Sequence, residues 1–134
     1  MKRWTRKVDI FAVDLILLPV HLGMHWCMAA IDNRSKQIIY YDSLRGNNPK
    51  CIATLRKYLN DESMDKKKKP FDFDGWTDSM PKEIPEQMNG CDCGVFASMY
   101  AEFKSRDCGF TFTQDNMPYF RQRMVYEIVS KKLL

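Results

Sequence analysis

Apolar residues fall into short blocks along the chain, and their spacing changes partway. Leu15 to Val20 is almost wholly apolar, holds Pro19, and reads as a buried strand. His25 to Asp32 predicts a second strand, closed by the turn formers Asn33, Arg34 and Ser35. Gln37 to Asp42, rich in β-branched and aromatic residues, predicts a third. The short gap between the last two points to an antiparallel hairpin. After a polar turn from Arg45 to Pro49 the period lengthens. Cys51, Ile52, Leu55, Tyr58 and Leu59 recur at helical spacing, with Pro49 in the first turn. The polar stretch from Asp61 to Pro85 also holds Pro70 and Pro81, and predicts loops with one edge strand around Trp76 to Ser79. A second helix opens near Cys93, carries Val95, Phe96, Met99, Tyr100 and Phe103, and has Gly109 as its stop signal. A last helix runs from about Thr113 as N-cap, with Pro118 near its start and Phe120, Met124, Val125 and Ile128 on an apolar face. Strands followed by helices, without internal repeats, predict an α+β fold.

Composition narrows the class. A chain of 134 residues that is 45% hydrophobic and 13% aromatic is one domain with a real core, not a disordered segment. Its longest apolar stretch, Val13 to Val20, contains Asp14 and Pro19 and is too short to span a bilayer. The basic start, Met1 to Lys7, is not followed by an apolar signal core, so no secretory leader is expected. Five cysteines, odd in number and irregular in spacing, predict reduced thiols. Cys91 and Cys93 stand too close for paired zinc ligands, and no metal is expected. The net charge of +4 suits an acidic protein partner as well as nucleic acid. Lys66 to Lys69, ending at Pro70, reads as a solvated loop, and no basic–aromatic interleaving suggests a nucleic-acid groove.

Three places can carry chemistry. His25 opens one strand of the hairpin and Asp42 ends the other, so both can lie at one end of the sheet. A carboxylate there fixes the imidazole tautomer and stabilises the imidazolium. Cys93-Gly94 follows the turn signal Asn89-Gly90 and opens a helix, where the positive end of the dipole favours a thiolate. Gln87, six residues earlier, can donate its side-chain amide to an oxyanion beside the Cys93 backbone N–H. Taken singly, each reads first as something plainer. His25 is then a packed or surface histidine, Cys93 a small core residue and Gln87 a loop glutamine.

Taken in order, the set resembles the sentrin/SUMO-specific proteases, the ubiquitin-like-protein proteases distantly related to the adenoviral protease. The residues that carry the resemblance are Pro19 to Trp26, Tyr40-Tyr41-Asp42-Ser43, Glu83 to Gly90 with Asp92-Cys93-Gly94, and Met117 to Arg121. The resemblance implies a papain-like cysteine peptidase fold, a central mixed sheet flanked by helices. It implies cleavage after the C-terminal Gly-Gly of SUMO, in deconjugation and precursor maturation. Cys93 would be the nucleophile, His25 the general base, Asp42 its orienter and Gln87 the oxyanion donor. Trp26 would form one wall of a narrow tunnel for the Gly-Gly tail, with His21 also on the substrate side. A close aromatic clamp selects glycine because glycine has no side chain. The plainer reading of Trp26 is a core aromatic.

The same resemblance implies SUMO and SUMO conjugates as partners, a monomer, no cofactor, and a setting in the nucleus or nuclear envelope with some cytoplasmic protein. Two departures stand out. Cys91 occupies a position where the family usually has serine, beside the nucleophile. Residues 1–134 correspond to the C-terminal two-thirds of such a domain, and the part that would precede them supplies the second tryptophan wall. Two other readings therefore stay open: a non-catalytic SUMO-binding fragment, and a protease for another modifier such as NEDD8 or ubiquitin.

Overall fold

A computed structural model describes residues 3–134, so Met1 and Lys2, the start of the basic run, lie outside the described residues. Three strands form the antiparallel core of the sheet: β1 (Leu15–His21), β2 (Trp26–Asp32) and β3 (Gln37–Tyr41). A short β4 (Thr77–Ser79) adds to β3 in parallel, giving a mixed sheet of order β1-β2-β3-β4. The β2–β3 hairpin is the one expected. Its turn is held by the Asp32 carboxylate, whose Oδ1 accepts from the backbone N–H groups of Arg34 and Ser35 at 3.0 and 3.2 Å.

Strand alternation divides the core between the two faces of the sheet. Met28, Ala30, Ile39 and Tyr41 face α2 (Cys93–Ser105) and α3 (Met117–Ser130), where Phe96, Tyr100, Phe103, Phe112 and Phe120 make one aromatic-rich core. Cys27, Ala29, Ile31, Ile38 and Tyr40 face Ile52, Leu55 and Leu59 of α1 (Pro49–Lys67). β2 is buried from both sides, which is why it reads as a continuous apolar run.

Three boundaries differ from expectation, each for a reason visible in the contacts around it. Helix α1 continues through Asp61 to Lys67, into the stretch that reads as loop. Its polar residues there are satisfied within the fold: buried Glu62 accepts from Lys66 Nζ at 2.6 Å and Thr5 Oγ1 at 2.8 Å, and Ser63 donates to the Lys69 carbonyl. Lys66 and Lys67 thus end a helix, and Lys68 takes the left-handed cap conformation. Helix α2 stops at Ser105, before Gly109. The left-handed residue is Asp107, and the Cys108 N–H closes the end onto the Phe103 carbonyl. Thr113 caps a single 3-10 turn, Gln114–Asn116, which leads into α3 at Met117. Of the apolar face expected on α3, Phe120 is buried and Met124 packs on the core, while Val125 and Ile128 are exposed. No helix among the described residues is long and apolar enough to cross a membrane.

Candidate active site

The hairpin register sets the site. Met28 pairs with Tyr41, so one step further along the strands Asp42 faces Cys27, and His25 sits just before β2 begins. There His25 Nε2 lies 2.7 Å from Asp42 Oδ1. The Asp42 carboxylate is buried and fixed from below by two backbone donors, Leu44 N–H at 2.8 Å and Gly46 N–H at 3.1 Å. Gly46 is required by this approach, since a Cβ there would stand 2.6 Å from Asp42 Oδ2. With Nε2 engaged by the carboxylate, Nδ1 is the ring nitrogen left for proton transfer.

Cys93 opens α2, the end of the helix where backbone donors lack helical partners and the dipole is positive. Its sulfur is near enough to act electrostatically on Cys27, which in turn lies within 4.8 Å of the His25 and Asp42 ligand atoms. Cys27, Tyr40 and Asn48 form the floor: the Tyr40 hydroxyl donates to Cys27 Sγ at 3.1 Å and Asn48 Nδ2 donates to that hydroxyl at 3.5 Å. Burial pushes the Cys27 thiol up to about 12, with the Asp42 charge adding to it and the Tyr40 hydrogen bond opposing it. His25, Cys27 and Asp42 are a poor fit for a metal ion. The histidine and carboxylate spend their facing atoms on each other, and the thiol stays protonated.

Gln87 is buried on the loop before α2, and it is tied to the residue after Asp42. Its backbone N–H donates to the Ser43 carbonyl at 3.0 Å, the Ser43 hydroxyl donates to its Oε1, and its Nε2 donates to the Asn89 carbonyl at 2.6 Å. Trp26 is not a core aromatic. It is 42% exposed at the start of β2 and stacks on its cross-strand partner His21, ring centroids 4.3 Å apart. Both thus stand on the surface, Trp26 next to His25 in the chain and His21 across the strand pair from Trp26. Cys91 is exposed.

Residue-by-residue reading of the sequence overlooks the group that holds the start of α2. Asp92 is buried, and its carboxylate accepts from Asn89 Nδ2, Gln114 Nε2 and Arg121 Nε, each at 2.8 Å. The Asn89 amide, then the Arg121 guanidinium and the Gln114 amide, hold the Asp92 carboxyl below its ordinary value against the cost of burial. Arg121 also donates to the Cys91 carbonyl at 3.1 Å, so α3 clamps the two residues that precede Cys93. Arg121 and Ser43 both lie inside the blocks that carry the family resemblance, which is the one signal that marks them.

Comparison with known proteins gives the family. The family model described as the Ulp1 protease family, C-terminal catalytic domain, matches residues 1–133. A sentrin-specific protease of Caenorhabditis elegans is 60% identical over 134 residues, all of this chain and 19% of that protein. Sentrin-specific protease 2 of Homo sapiens is 43% identical over 136 aligned residues, all of this chain and 23% of that protein. The chain thus spans about a fifth of the length of these relatives. Among solved structures, the C-terminal Ulp1 protease domain in complex with Smt3, the yeast ortholog of SUMO, superposes with a TM-score of 0.77 at 30% identity. The match covers 96% of this chain and 59% of that one. An Ulp1 structure with its catalytic cysteine oxidised to a sulfenic acid gives the same TM-score and identity. The chain belongs to the Ulp1 protease family and matches its C-terminal catalytic domain.

Proposed function

We propose that this chain is a thiol peptidase and isopeptidase acting on the C-terminal Gly-Gly of SUMO, with Cys93, His25, Asp42 and Gln87 as its working groups. The observation that carries the reading is the 2.7 Å contact between His25 Nε2 and the buried Asp42 carboxylate, beside a cysteine that opens a helix. In this reading His25 Nδ1 takes the Cys93 proton, and the sulfur attacks the carbonyl of the terminal glycine. The carbonyl oxygen becomes an oxyanion, which accepts from Gln87 Nε2–H and the Cys93 backbone N–H. Collapse expels the lysine or peptide amine, which leaves with the proton held by the imidazolium. Water, deprotonated by His25, then hydrolyses the thioester and returns the thiol. Trp26, stacked on His21, supplies a flat wall against which only a side-chain-free tail lies close. The known partner of a similar domain, Smt3, supports SUMO as the modifier. A nuclear setting belongs to the same reading.

The test is covalent capture. The chain is incubated with SUMO bearing a C-terminal vinyl sulfone, beside a Cys93→Ser control and a NEDD8 vinyl sulfone. An adduct formed by SUMO with the parent chain alone is the expected result. Capture of NEDD8 instead would change the modifier. No adduct from folded protein would leave a SUMO-binding fragment or less.

A further inference from the structure

We infer that Ser43 is a positioning residue for the oxyanion-stabilising amide, which is a further step resting on the catalytic reading above. A glutamine amide has two ends of nearly equal shape and opposite hydrogen-bonding sense. Only the NH2 end stabilises an oxyanion, and the carbonyl end would repel it. Gln87 is held with both ends assigned. The Ser43 hydroxyl donates to Oε1, and the Asn89 carbonyl, which can only accept, receives one hydrogen of Nε2 at 2.6 Å. The second Nε2 hydrogen has no partner among the described residues and is the one the catalytic reading assigns to the oxyanion.

Ser43 acts on that hydrogen in two ways. It satisfies a buried carbonyl that would otherwise pull the amide round about its soft terminal torsion. It also withdraws charge through the amide, which makes the N–H a stronger donor, as linked hydrogen bonds polarise one another. Ser43 is 1% exposed and follows Asp42 directly, and its own carbonyl receives the Gln87 backbone N–H at 3.0 Å. One turn of chain therefore carries the acid that orients His25 and the hydroxyl that orients Gln87. The two halves of the reaction centre, proton transfer and oxyanion stabilisation, are set by adjacent residues.

The experiment compares two reagents on the same protein. SUMO ending in glycinal forms a hemithioacetal with Cys93 whose oxygen stands where the oxyanion would be. Iodoacetamide alkylates Cys93, read by peptide mapping, and develops no oxyanion. For Ser43→Ala the aldehyde affinity and kcat are expected to fall about tenfold, a fraction of what deleting an oxyanion donor outright costs. KM and the alkylation rate stay near those of the parent. Ser43→Cys, which fills the site but donates weakly, falls between. In a Gln87→Ala background, Ser43→Ala adds nothing. Equal losses toward both reagents, or a full additional loss in the Gln87→Ala background, would make Ser43 merely structural and overturn the inference. A parent chain that is alkylated at Cys93 yet never binds the aldehyde defeats the catalytic reading, and the role of Ser43 with it.

Discussion

Asp32 and Asp42 stand at opposite ends of the same hairpin, equally out of reach of water, and they do different work. Each accepts two backbone N–H groups from the turn that follows it. They differ in the third partner. Asp32 meets Lys104 Nζ at 3.0 Å, a permanent cation from α2, and Arg34 beyond it. Burial works against the charge at Asp32, yet Lys104 and the Ser35 and Arg34 amides hold its carboxyl down at about 2. Asp42 meets an imidazole, whose charge can come and go within one reaction cycle. A carboxylate with a fixed counter-ion is a fastener, whereas one with a switchable counter-ion suits the catalytic part proposed for Asp42.

Swapping each for its amide separates the two carboxylates most clearly. Asp42→Asn is expected to lower kcat about 10³- to 10⁴-fold in a protein that still folds, because the amide imposes the wrong tautomer on His25, with a smaller loss of stability from the backbone donor that loses its acceptor. A kcat within tenfold of the parent would remove Asp42 from the reaction. Gly46→Ala presses a methyl onto Asp42 Oδ2 without touching its charge. A loss of about 100-fold in kcat is expected from the misplaced carboxylate, and an unchanged kcat would show that the turn yields. Asp32→Asn should do the reverse, costing about 2 kcal/mol of stability with normal turnover per folded molecule.

The same residue predicts an acid limb. Its folded pKa lies below the ordinary value, so its contribution is complete above about pH 4 and is lost as pH falls toward 2. Urea midpoints measured from pH 5 to pH 2.5 should fall less steeply in Asp32→Asn than in the parent. Parallel curves would mean that other carboxylates govern acid unfolding. The smallest effect belongs to Asp107, whose carboxylate pairs with Arg34 at 2.8 Å on the surface. Asp107→Asn keeps a residue suited to the left-handed backbone there and removes only a screened pair. No change in melting temperature is expected, and a clear drop would show the pair to be more than decoration.

The sheet and the meeting of His25 with Asp42 were legible because both are written in local pattern. Alternation and turn formers place β2 and β3, and the hairpin then brings His25 to Asp42 without further information. What escaped depends on partners distant in the chain. The last two turns of α1 look like loop because Glu62 is polar, and its reason for being buried, Thr5, lies 57 residues away. Asp92 carries no mark of its role in the sequence, since its side chain makes no cap hydrogen bond and turns toward Gln114 and Arg121, 22 and 29 residues away. The exposure of Val125 and Ile128 likewise has no signature, since periodicity shows that a face is apolar but not that something covers it.

Cys27, beneath the site, offers a clock for the whole sheet. Its thiol is 1% exposed and kept protonated, whereas Cys91 and Cys108 stand on the surface. An alkylating reagent therefore spends itself on the outer sulfurs and reaches Cys27 only when β2 parts from its neighbours. The lag before that label appears measures how often the centre of the molecule opens, with no introduced cysteine needed.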